Sequence, residues 1–307
     1  MAFSTTSVDT YRGTSGVSLP KQLSNEILQG AVESSVVMSM ARKIELPGSG
    51  ITIPVITSDP EAAWVDETNE KAVGEPGISS KNMTPYKLAI IELFSNEFKR
   101  DLNSLYNALV ERLPYAIAKK FDATVFFGST PGTGFDVLAS APTVKFDCAH
   151  DGEYAALVAA DASVSALGGI LNGWAVSPQG KSILLGATDS TGRPLFLSST
   201  EQGNVARILG ADVKICKAAY KAGTSGAPNK VAVAGDWSKA RWGAVQDVQI
   251  KISEEATIND GTNQINLWQR NMFAVMCEVE LGFVCADDDY FVIITDEDEA
   301  DASAGGE

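Results

Sequence analysis

Catalysis near neutral pH most often uses histidine, and the chain contains one histidine, His150. It stands among Asp147, Cys148 and Asp151 in a polar stretch. A Ser-His-Asp triad needs the imidazole fixed between a serine and a carboxylate, and a zinc site needs further Cys or His ligands at short spacing. Since the surrounding sequence offers no such ligands, we interpret His150 as an exposed loop residue and predict neither a catalytic site nor a metal site.

A second candidate for chemistry is the glycine-rich run GSTPGTG, residues 128–134. Phosphate-binding loops lie between a strand and a helix, and the Walker type ends in GK[ST]. This run follows a helical pattern and lacks that ending. We therefore interpret it as a turn and expect no cofactor.

The charge balance limits the possible partners. The chain has 307 residues, with 24 Lys and Arg against 39 Asp and Glu, which gives a formal net charge of −15. Affinity for nucleic acid depends mainly on clustered basic residues, so sequence-specific binding of nucleic acid is not expected. Acidic residues crowd the last stretch, where we expect a solvated and partly mobile tail over residues 296–307. These acids are Asp287, Asp288, Asp289, Asp296, Glu297, Asp298, Glu299, Asp301 and Glu307.

The cysteines and the hydropathy pattern predict a reduced protein that does not bind membranes. Cys148, Cys216, Cys277 and Cys285 are scattered and show no close pairing, which favours free thiols in the cytosol. The first residues have neither the basic start nor the apolar run of a secretory signal, and no apolar stretch reaches membrane-spanning length.

The chain is organised around a long amphipathic helix predicted for residues 95–127. Apolar residues recur there at steps of three or four. They are Phe98, Leu102, Leu105, Leu109, Leu113, Ile117, Phe121 and Val125. Ser95 is the expected N-cap, and Gly128 is the expected end. Pro114 lacks an amide hydrogen and is expected to kink or locally unwind the middle of the helix.

Before this helix lies an excursion, residues 45–94, that we predict to be an extended β-hairpin. Ile51, Ile53 and Val55 alternate with Thr and Pro on the outgoing strand, and YKLAIIELF is the expected returning strand. The polar segment between them includes Trp64 and Val65. An isolated hairpin is marginally stable in water, so the excursion is expected to lie on a second copy of the chain.

The remaining segments predict a helical start, a compact α/β lobe and a β-rich end. LPKQLSNEILQGAVESSVVMSM, residues 19–40, is predicted to be a short amphipathic helix. Residues 142–230 contain two helical patterns and buried strands. From Met272 to Val284 every second residue from Phe273 to Phe283 is apolar and faces one way, while Glu278 and Glu280 face the other, which predicts a strand that covers the apolar stripe of the long helix.

Taken together, the chain from about Leu19 to Ile294 resembles the major capsid proteins of tailed bacteriophages, which have the Hong Kong phage capsid fold. The resemblance depends on the order of seven segments. They are LPKQLSNEILQGAVESSVV; AWVDE; KLAIIELFSNEFKRDL entering the helix that ends FDATVFFGSTPGTGF; AVSPQGKSILLGATDSTGRPLF; LGADVKIC; VAVAGDWSKARWGAVQDVQIKIS; and NQINLWQRNMFAVMCEVELGFVCADDDYFVII.

The resemblance implies an α+β fold with five parts. These are an N-terminal arm and short helix (residues 1–44), an extended loop that lies over a neighbouring subunit (45–94), a peripheral domain with its spine helix (95–141 and 231–295), an inserted axial domain (142–230) and an acidic tail (296–307). It also implies contacts between subunits, for which we select residues in the loop and the arm. They are Trp64, Val65, Asp66, Glu67, Tyr11 and Arg12.

The implied function is structural, without catalytic turnover. Members of the family form hexamers and pentamers that close an icosahedral shell around double-stranded DNA, which they do not bind sequence-specifically. We expect a virion protein assembled in the bacterial cytoplasm with a portal and decoration proteins. Because a short arm precedes the first helix, a separate scaffolding protein is expected. Lys71 and Lys81 match no cross-linking motif, so we predict no covalent cross-links.

Two alternatives stay open at this point. An encapsulin-like nanocompartment shell would have the same fold and enclose enzymes, and a pocket for a cargo peptide would distinguish it. A cytosolic enzyme with the lobe as its catalytic domain would need a strongly polar, substrate-sized pocket within one subunit.

Overall fold

The computed structural model of the chain describes residues 35–58, 64–65, 77–96, 102–146, 152–187, 207–223, 227–245, 249–259 and 264–296. Within them the α-helices are α1 (Val36–Met40), α2 (Leu102–Phe127), α3 (Glu153–Ala166) and α4 (Pro178–Gly186). The strands are β1 (Arg42–Glu45), β2 (Ile51–Ser58), β3 (Gly77–Met83), β4 (Tyr86–Ser95), β5 (Thr143–Lys145), β6 (Gly173–Val176), β7 (Arg207–Ile208), β8 (Ala211–Ile215), β9 (Lys230–Gly235), β10 (Ala240–Ala244), β11 (Gln249–Ser253), β12 (Thr257–Asn259), β13 (Gln264–Asn266), β14 (Met272–Cys285) and β15 (Phe291–Thr295).

A five-stranded sheet is built around β14, the 14-residue strand that the alternating pattern predicts. β4 pairs antiparallel with residues 272–281 of β14, β11 with 274–278 and β10 with 281–285. β1 extends the sheet by pairing parallel with β10. On the outer face, Lys87 and Lys251 lie within 4 Å of the Glu278 carboxylate. The predicted alternation is therefore confirmed.

The inner face of this sheet packs against α2. Leu113, Ile117, Phe121 and Val125 of α2 are buried in the same cluster as the odd-numbered residues of β14 from Phe273 to Phe283. The rings of Phe121, Phe135 and Phe283 form a triangle with centroids 6.3–6.4 Å apart. Aromatic pairs at this separation contribute packing energy beyond the area that they bury. The C-terminal half of the predicted apolar stripe thus forms part of the main buried core.

The predicted start of the helix is wrong. Ser95 is the last residue of β4, where it pairs with Met272, and the Asn96 amide donates to the Asn271 carbonyl at 2.7 Å. Ser95 is therefore a strand residue and not an N-cap, and α2 is described from Leu102 onward. Of the kink or local unwinding expected at Pro114, the unwinding does not occur, since residues 102–127 form one α-helix. Phe98 and the side chains of Leu102, Leu105 and Leu109 lie outside the described residues.

The end of α2 follows the prediction. The helix stops at Phe127, and the Gly128 amide donates to the Thr124 carbonyl at 3.1 Å. A Cβ on Gly128 would lie 2.6 Å from the Thr124 Cα atom, so a larger residue could not make this turn without displacement of the backbone. Glycine is therefore required at position 128 because the chain passes close to the Thr124 backbone there.

A six-stranded sheet in the order β5-β15-β9-β6-β8-β7 forms the centre of the lobe. α3, α4 and the fully buried strand β6 confirm the predicted elements of residues 154–185. β9 and β15, which the sequence predicts to belong with the long helix, pair within this sheet, because β9 pairs antiparallel with both β6 and β15. Their residues Val233, Phe291 and Ile293 are also buried in the same cluster as the apolar residues of α2.

The short helix α1 is held by a buried carboxylate on α2. Asp122, with an exposed fraction of 1%, accepts hydrogen bonds from the Ser35 hydroxyl and from the amides of Val36 and Val37, at 2.5, 2.9 and 3.3 Å. Burial raises the pKa of Asp122, and these hydrogen bonds partly offset that rise. The predicted helix over residues 19–40 is wrong as one continuous element, because Ser35 has an extended backbone and α1 begins only at Val36. Residues 19–34 lie outside the described part.

Several acids assigned to the C-terminal cluster have structural partners. Asp288 accepts from the Ser140 hydroxyl at 2.7 Å, and Asp296 accepts from the amide and the side chain of Asn229, both at 2.9 Å. Asp287–Asp289 precede β15, so they belong to the body of the protein and not to a solvated tail. Residues 297–307 lie outside the described residues.

The core packing predicts a large effect of Phe283→Ala. Removing this fully buried ring leaves a cavity between α2, β14 and Phe135, so we expect the free energy of unfolding to fall by about 3–5 kcal/mol. Denaturant unfolding of the unassembled protein measures this loss. Ile91→Ala, at a side chain 49% exposed on β4, is the control and should cost about 1 kcal/mol or less. Equal losses for the two variants would contradict the packing described.

Asp122→Ala tests the anchor of α1. The change leaves three buried donors without their acceptor, so we expect a loss of about 2–4 kcal/mol. Asp212→Ala is a control, because the ion pair of Asp212 with Arg207 is largely exposed and should contribute about 1 kcal/mol or less. A loss for Asp122→Ala as small as that for the control would contradict this account.

Candidate interaction surfaces

The excursion contains a two-stranded sheet formed by β2 and β3 alone. They pair antiparallel from Ile51 opposite Met83 to Ser58 opposite Gly77. The expected returning strand, YKLAIIELF, is therefore wrong, because that segment is β4 and pairs with β14 in the main sheet. The returning strand of the hairpin is instead β3, with the sequence GISSKNM. Thr84 and Pro85 connect the end of β3 to the start of β4.

The base of this hairpin is anchored on the main sheet by a small apolar cluster. Met83, Ile53, Leu46 and Val284 are buried together. Gly282 of β14 makes this approach possible, since a Cβ there would lie 2.8 Å from Leu46 and 3.0 Å from Met83. Among the described residues of the hairpin, the buried apolar contacts with the main sheet lie at this base.

An ion pair beside the cluster fixes the same end. Lys81 Nζ lies 3.1 Å from the Asp136 carboxylate, which also accepts from the Cys285 amide at 3.2 Å. Burial pushes the pKa of Lys81 down, but the neighbouring Cys285, Asp136 and Asp288 outweigh burial and raise it. Lys81 is therefore charged at neutral pH and joins β3 to the loop before β5.

In the connection between β2 and β3, two of the predicted contact residues are exposed. Trp64 has an exposed fraction of 105%, and Val65 is 39% exposed. An indole that contacts nothing in its own chain leaves a large apolar surface in water. Asp66, Glu67, Tyr11 and Arg12, the other predicted contact residues, lie outside the described residues.

A polar cleft of about 450 Å³ lies beside the hairpin base, and we call it the basic cleft. Its charged lining residues are Lys81, Lys239, Arg241 and Asp287. Its remaining walls are mainly apolar and aromatic: Ile53, Pro54, Val55, Val284, Ala286 and Tyr290, with Ser238. The cleft thus combines an apolar wall with an excess of positive charge in a chain of net charge −15.

The cations of the basic cleft are poorly compensated. Among the described residues, no carboxylate oxygen lies within 4.0 Å of the charged nitrogens of Lys239 or Arg241. Lys239 Nζ lies 5.6 Å from the ring centroid of Tyr290. Arg241 is the register partner of Arg42 on β1, and like charges directly opposite on neighbouring strands repel. The local charge pattern favours an anionic partner.

The residues first considered for chemistry do not form a reactive site in the described part of the chain. Burial raises the pKa of the Cys216 thiol to about 11 and that of Cys277 to about 12, and it raises the pKa of Cys285 as well. All three are free thiols. Within the described residues no three His, Cys, Asp or Glu side chains are grouped to hold a metal ion. His150 and Cys148 lie outside these residues.

The glycine-rich run is a turn, as predicted. Thr130 donates its hydroxyl to the Phe135 carbonyl, Thr133 accepts from the Tyr86 hydroxyl at 2.8 Å, and Gly134 has φ of +82°. The run connects α2 to the loop before β5, so no helix N-terminus is available there for a phosphate. None of the described helices has the length and apolar character needed to cross a bilayer.

The relatives of this chain are viral shell proteins. The chain is 31% identical to the probable major capsid protein of Mycobacterium phage L5 over 289 residues, which covers 89% of this chain and 87% of the relative. It is 23% identical to the major capsid protein of Staphylococcus phage 80alpha over 304 residues, which covers 94% of this chain and 88% of the relative.

Solved structures show the same fold. A chain from Gordonia phage Cozz superposes with a TM-score of 0.69 at 24% identity, covering 87% of both chains. The capsid of a native GTA particle superposes with a TM-score of 0.62 at 16% identity, covering 94% of this chain and 93% of the other. The expected α+β fold of the Hong Kong phage capsid type is thereby confirmed. The model of the phage capsid family matches residues 15–296, and this chain therefore belongs to that family.

Proposed function

We propose that this chain is the major capsid protein of a tailed phage and forms hexamers and pentamers that close an icosahedral head around double-stranded DNA. The observation that carries the proposal is the exposed Trp64 in the connection of a hairpin whose base packs on the main sheet, in a chain of the phage capsid family. The shell protein of a phage is part of the virion, and we infer that this one assembles in the host cytoplasm. We assign it no catalytic turnover.

The division into parts follows the two sheets. We propose a peripheral unit of α2 with β1, β4, β10, β11 and β14, and an axial unit of the six-stranded sheet with α3 and α4. Compared with the boundaries expected from sequence, β9 and β15 move to the axial unit. One buried cluster includes residues of both sheets, among them Phe283, Val233 and Phe291, which favours a rigid subunit.

In this proposal the shell is stabilised by the hairpin of one subunit lying on the next. Burial of an indole removes roughly 200 Å² from water, which at about 25 cal/mol per Å² favours contact by about 5 kcal/mol before ordering costs. A head-to-tail contact of this type closes into rings when the rotation between copies permits. Val65, Asp66, Glu67, Tyr11 and Arg12 are the other residues that we assign to contacts between subunits.

We further propose a separate scaffolding protein, a portal and decoration proteins as partners. DNA is enclosed without sequence-specific binding, in keeping with the net charge of −15. The alternative of an encapsulin-like shell finds no support among the relatives described above, which carry the names of phage capsid proteins.

Self-assembly tests the function. We expect the purified chain, expressed with its scaffolding partner, to form rings or closed shells by light scattering and electron microscopy. A monodisperse monomer under these conditions would contradict the proposal.

Trp64→Ala separates assembly from folding. Because Trp64 is fully exposed in its own chain, we expect unchanged unfolding but at least about tenfold less assembled material. Tyr154→Ala, a half-exposed aromatic change on α3, is the matched control and should assemble normally. Assembly of Trp64→Ala at the wild-type level would show that the tip does not hold subunits together.

A further inference from the structure

We propose that the basic cleft of one copy binds the acidic hairpin tip of a neighbouring copy, with the Trp64 indole on its apolar wall and Asp66 and Glu67 paired with Lys239 and Arg241. This inference rests on the proposed function and assigns both halves of one contact between subunits. The cleft is identified as a receptor because it combines an apolar wall with two cations, Lys239 and Arg241, that have no carboxylate partner within 4.0 Å among the described residues.

The chemistry of the tip complements that of the cleft. The segment between β2 and β3, residues 59–76, carries six acids and a single base, Lys71. The acids are Asp59, Glu61, Asp66, Glu67, Glu70 and Glu75. Trp64 stands in the middle of this segment and is fully exposed. Aromatic rings and arginines are the residue types that contribute most to protein interfaces.

The occupant is a second copy and not the same chain. An indole with an exposed fraction of 105% contacts nothing in its own chain, so Trp64 does not occupy its own cleft. β2 and β3 are paired from Ile51 opposite Met83 at the base to Ser58 opposite Gly77, so the connection between them begins about 23 Å of strand away from the base, beside which the cleft lies. A tip-to-base contact between copies is head-to-tail, so it can continue around a ring.

The acidic C-terminal segment is a poorer occupant. Residues 297–307 contain no aromatic or large aliphatic side chain to cover the apolar wall. They also begin beyond Thr295, at the end of β15 opposite to Tyr290, which lines the cleft. Five residues of strand separate these ends by about 17 Å, so the segment would have to reverse its direction to enter.

A DNA phosphate backbone also fits less well. Phosphate contacts use several exposed cations along a surface, whereas the basic cleft has three cations beside aliphatic and aromatic walls. Lys81 is already paired with Asp136, which leaves Lys239 and Arg241 to meet an anion. Two cations and an apolar wall suit a short acidic peptide with an aromatic residue.

A charge exchange tests this contact. The cleft variant carries Lys239→Glu and Arg241→Glu, and the tip variant carries Asp66→Lys and Glu67→Lys. We expect each variant to reduce the assembled fraction at least about tenfold, because each places like charges together. The combined variant restores opposite charges, so its assembled fraction should return to within about threefold of wild type. Light scattering of the co-expressed, purified protein at matched ionic strength gives the assembled fraction.

The control carries Lys214→Glu and Lys217→Glu, an equal change in charge on exposed residues outside the cleft, and should assemble as wild type does. Denaturant unfolding of every variant shows whether the subunit itself is intact. Assembly of the cleft variant at the wild-type level, or failure of the combined variant to recover while its subunit stays folded, would overturn the inference and leave the capsid function standing.

Two further outcomes identify a different occupant and also overturn the inference. Removal of residues 297–307 could reproduce the cleft variant's defect while the tip variant assembles normally, which would assign the cleft to the tail. The cleft variant could instead form normal shells that retain less DNA, which would assign the cleft to phosphate. Failure of the wild-type chain to assemble would overturn the proposed function itself.

Discussion

The packing of α2 against the inner face of β14 is the contact on which the rest of the subunit depends. A single helix with an apolar stripe and a single strand with an apolar face bury one another through Phe121, Phe135 and Phe283. Close-packed protein interiors of this kind have low compressibility and resist deformation. The other elements are attached to this unit: β4 on the edge of β14, α1 through Asp122, and the six-stranded sheet through the continuous buried cluster.

The hairpin differs from this packed unit, since its two strands do not bury a core between them. Its base is fixed by Met83 and by the ion pair of Lys81 with Asp136, whereas Trp64, in the connection between its strands, is fully exposed. The exposed apolar surface of Trp64 therefore lies on the hairpin and outside the packed core of the subunit. Assembly can then use the free energy of covering that surface, which folding of one chain leaves unused.

The sequence predicted the structure correctly where a single hydrophobic period, helical or strand-like, extends over most of an element. The three-to-four spacing of Leu113, Ile117, Phe121 and Val125 and the strict alternation from Phe273 to Phe283 located the core of the main sheet. It failed at junctions, where neighbouring elements share a pattern. YKLAIIELFS reads equally well as a hairpin strand or a core strand, and Ser95 looks like a helix cap although long-range pairing with Met272 makes it a strand residue.

Non-local pairing also explains why the sequence alone did not predict the membership of the six-stranded sheet or the position of the basic cleft. β15 joins β9 across more than fifty residues of chain, so no local pattern assigns it to the six-stranded sheet. The basic cleft brings together Lys81, Lys239 and Arg241 from separate strands and turns, and their common position follows from the fold alone. The sequence indicated an interface through an excursion too polar to form its own core and through Trp64, which stands among acids within it.

The central claim is that the hairpin of residues 51–83 completes its packing on another copy. The most direct measurement is a three-dimensional reconstruction of the assembled particle by electron cryomicroscopy at side-chain resolution. The account predicts that each hairpin lies along a neighbouring subunit, with the Trp64 ring buried between the two copies. A particle in which every hairpin folds back on its own subunit, with Trp64 outside all contacts between copies, would contradict it.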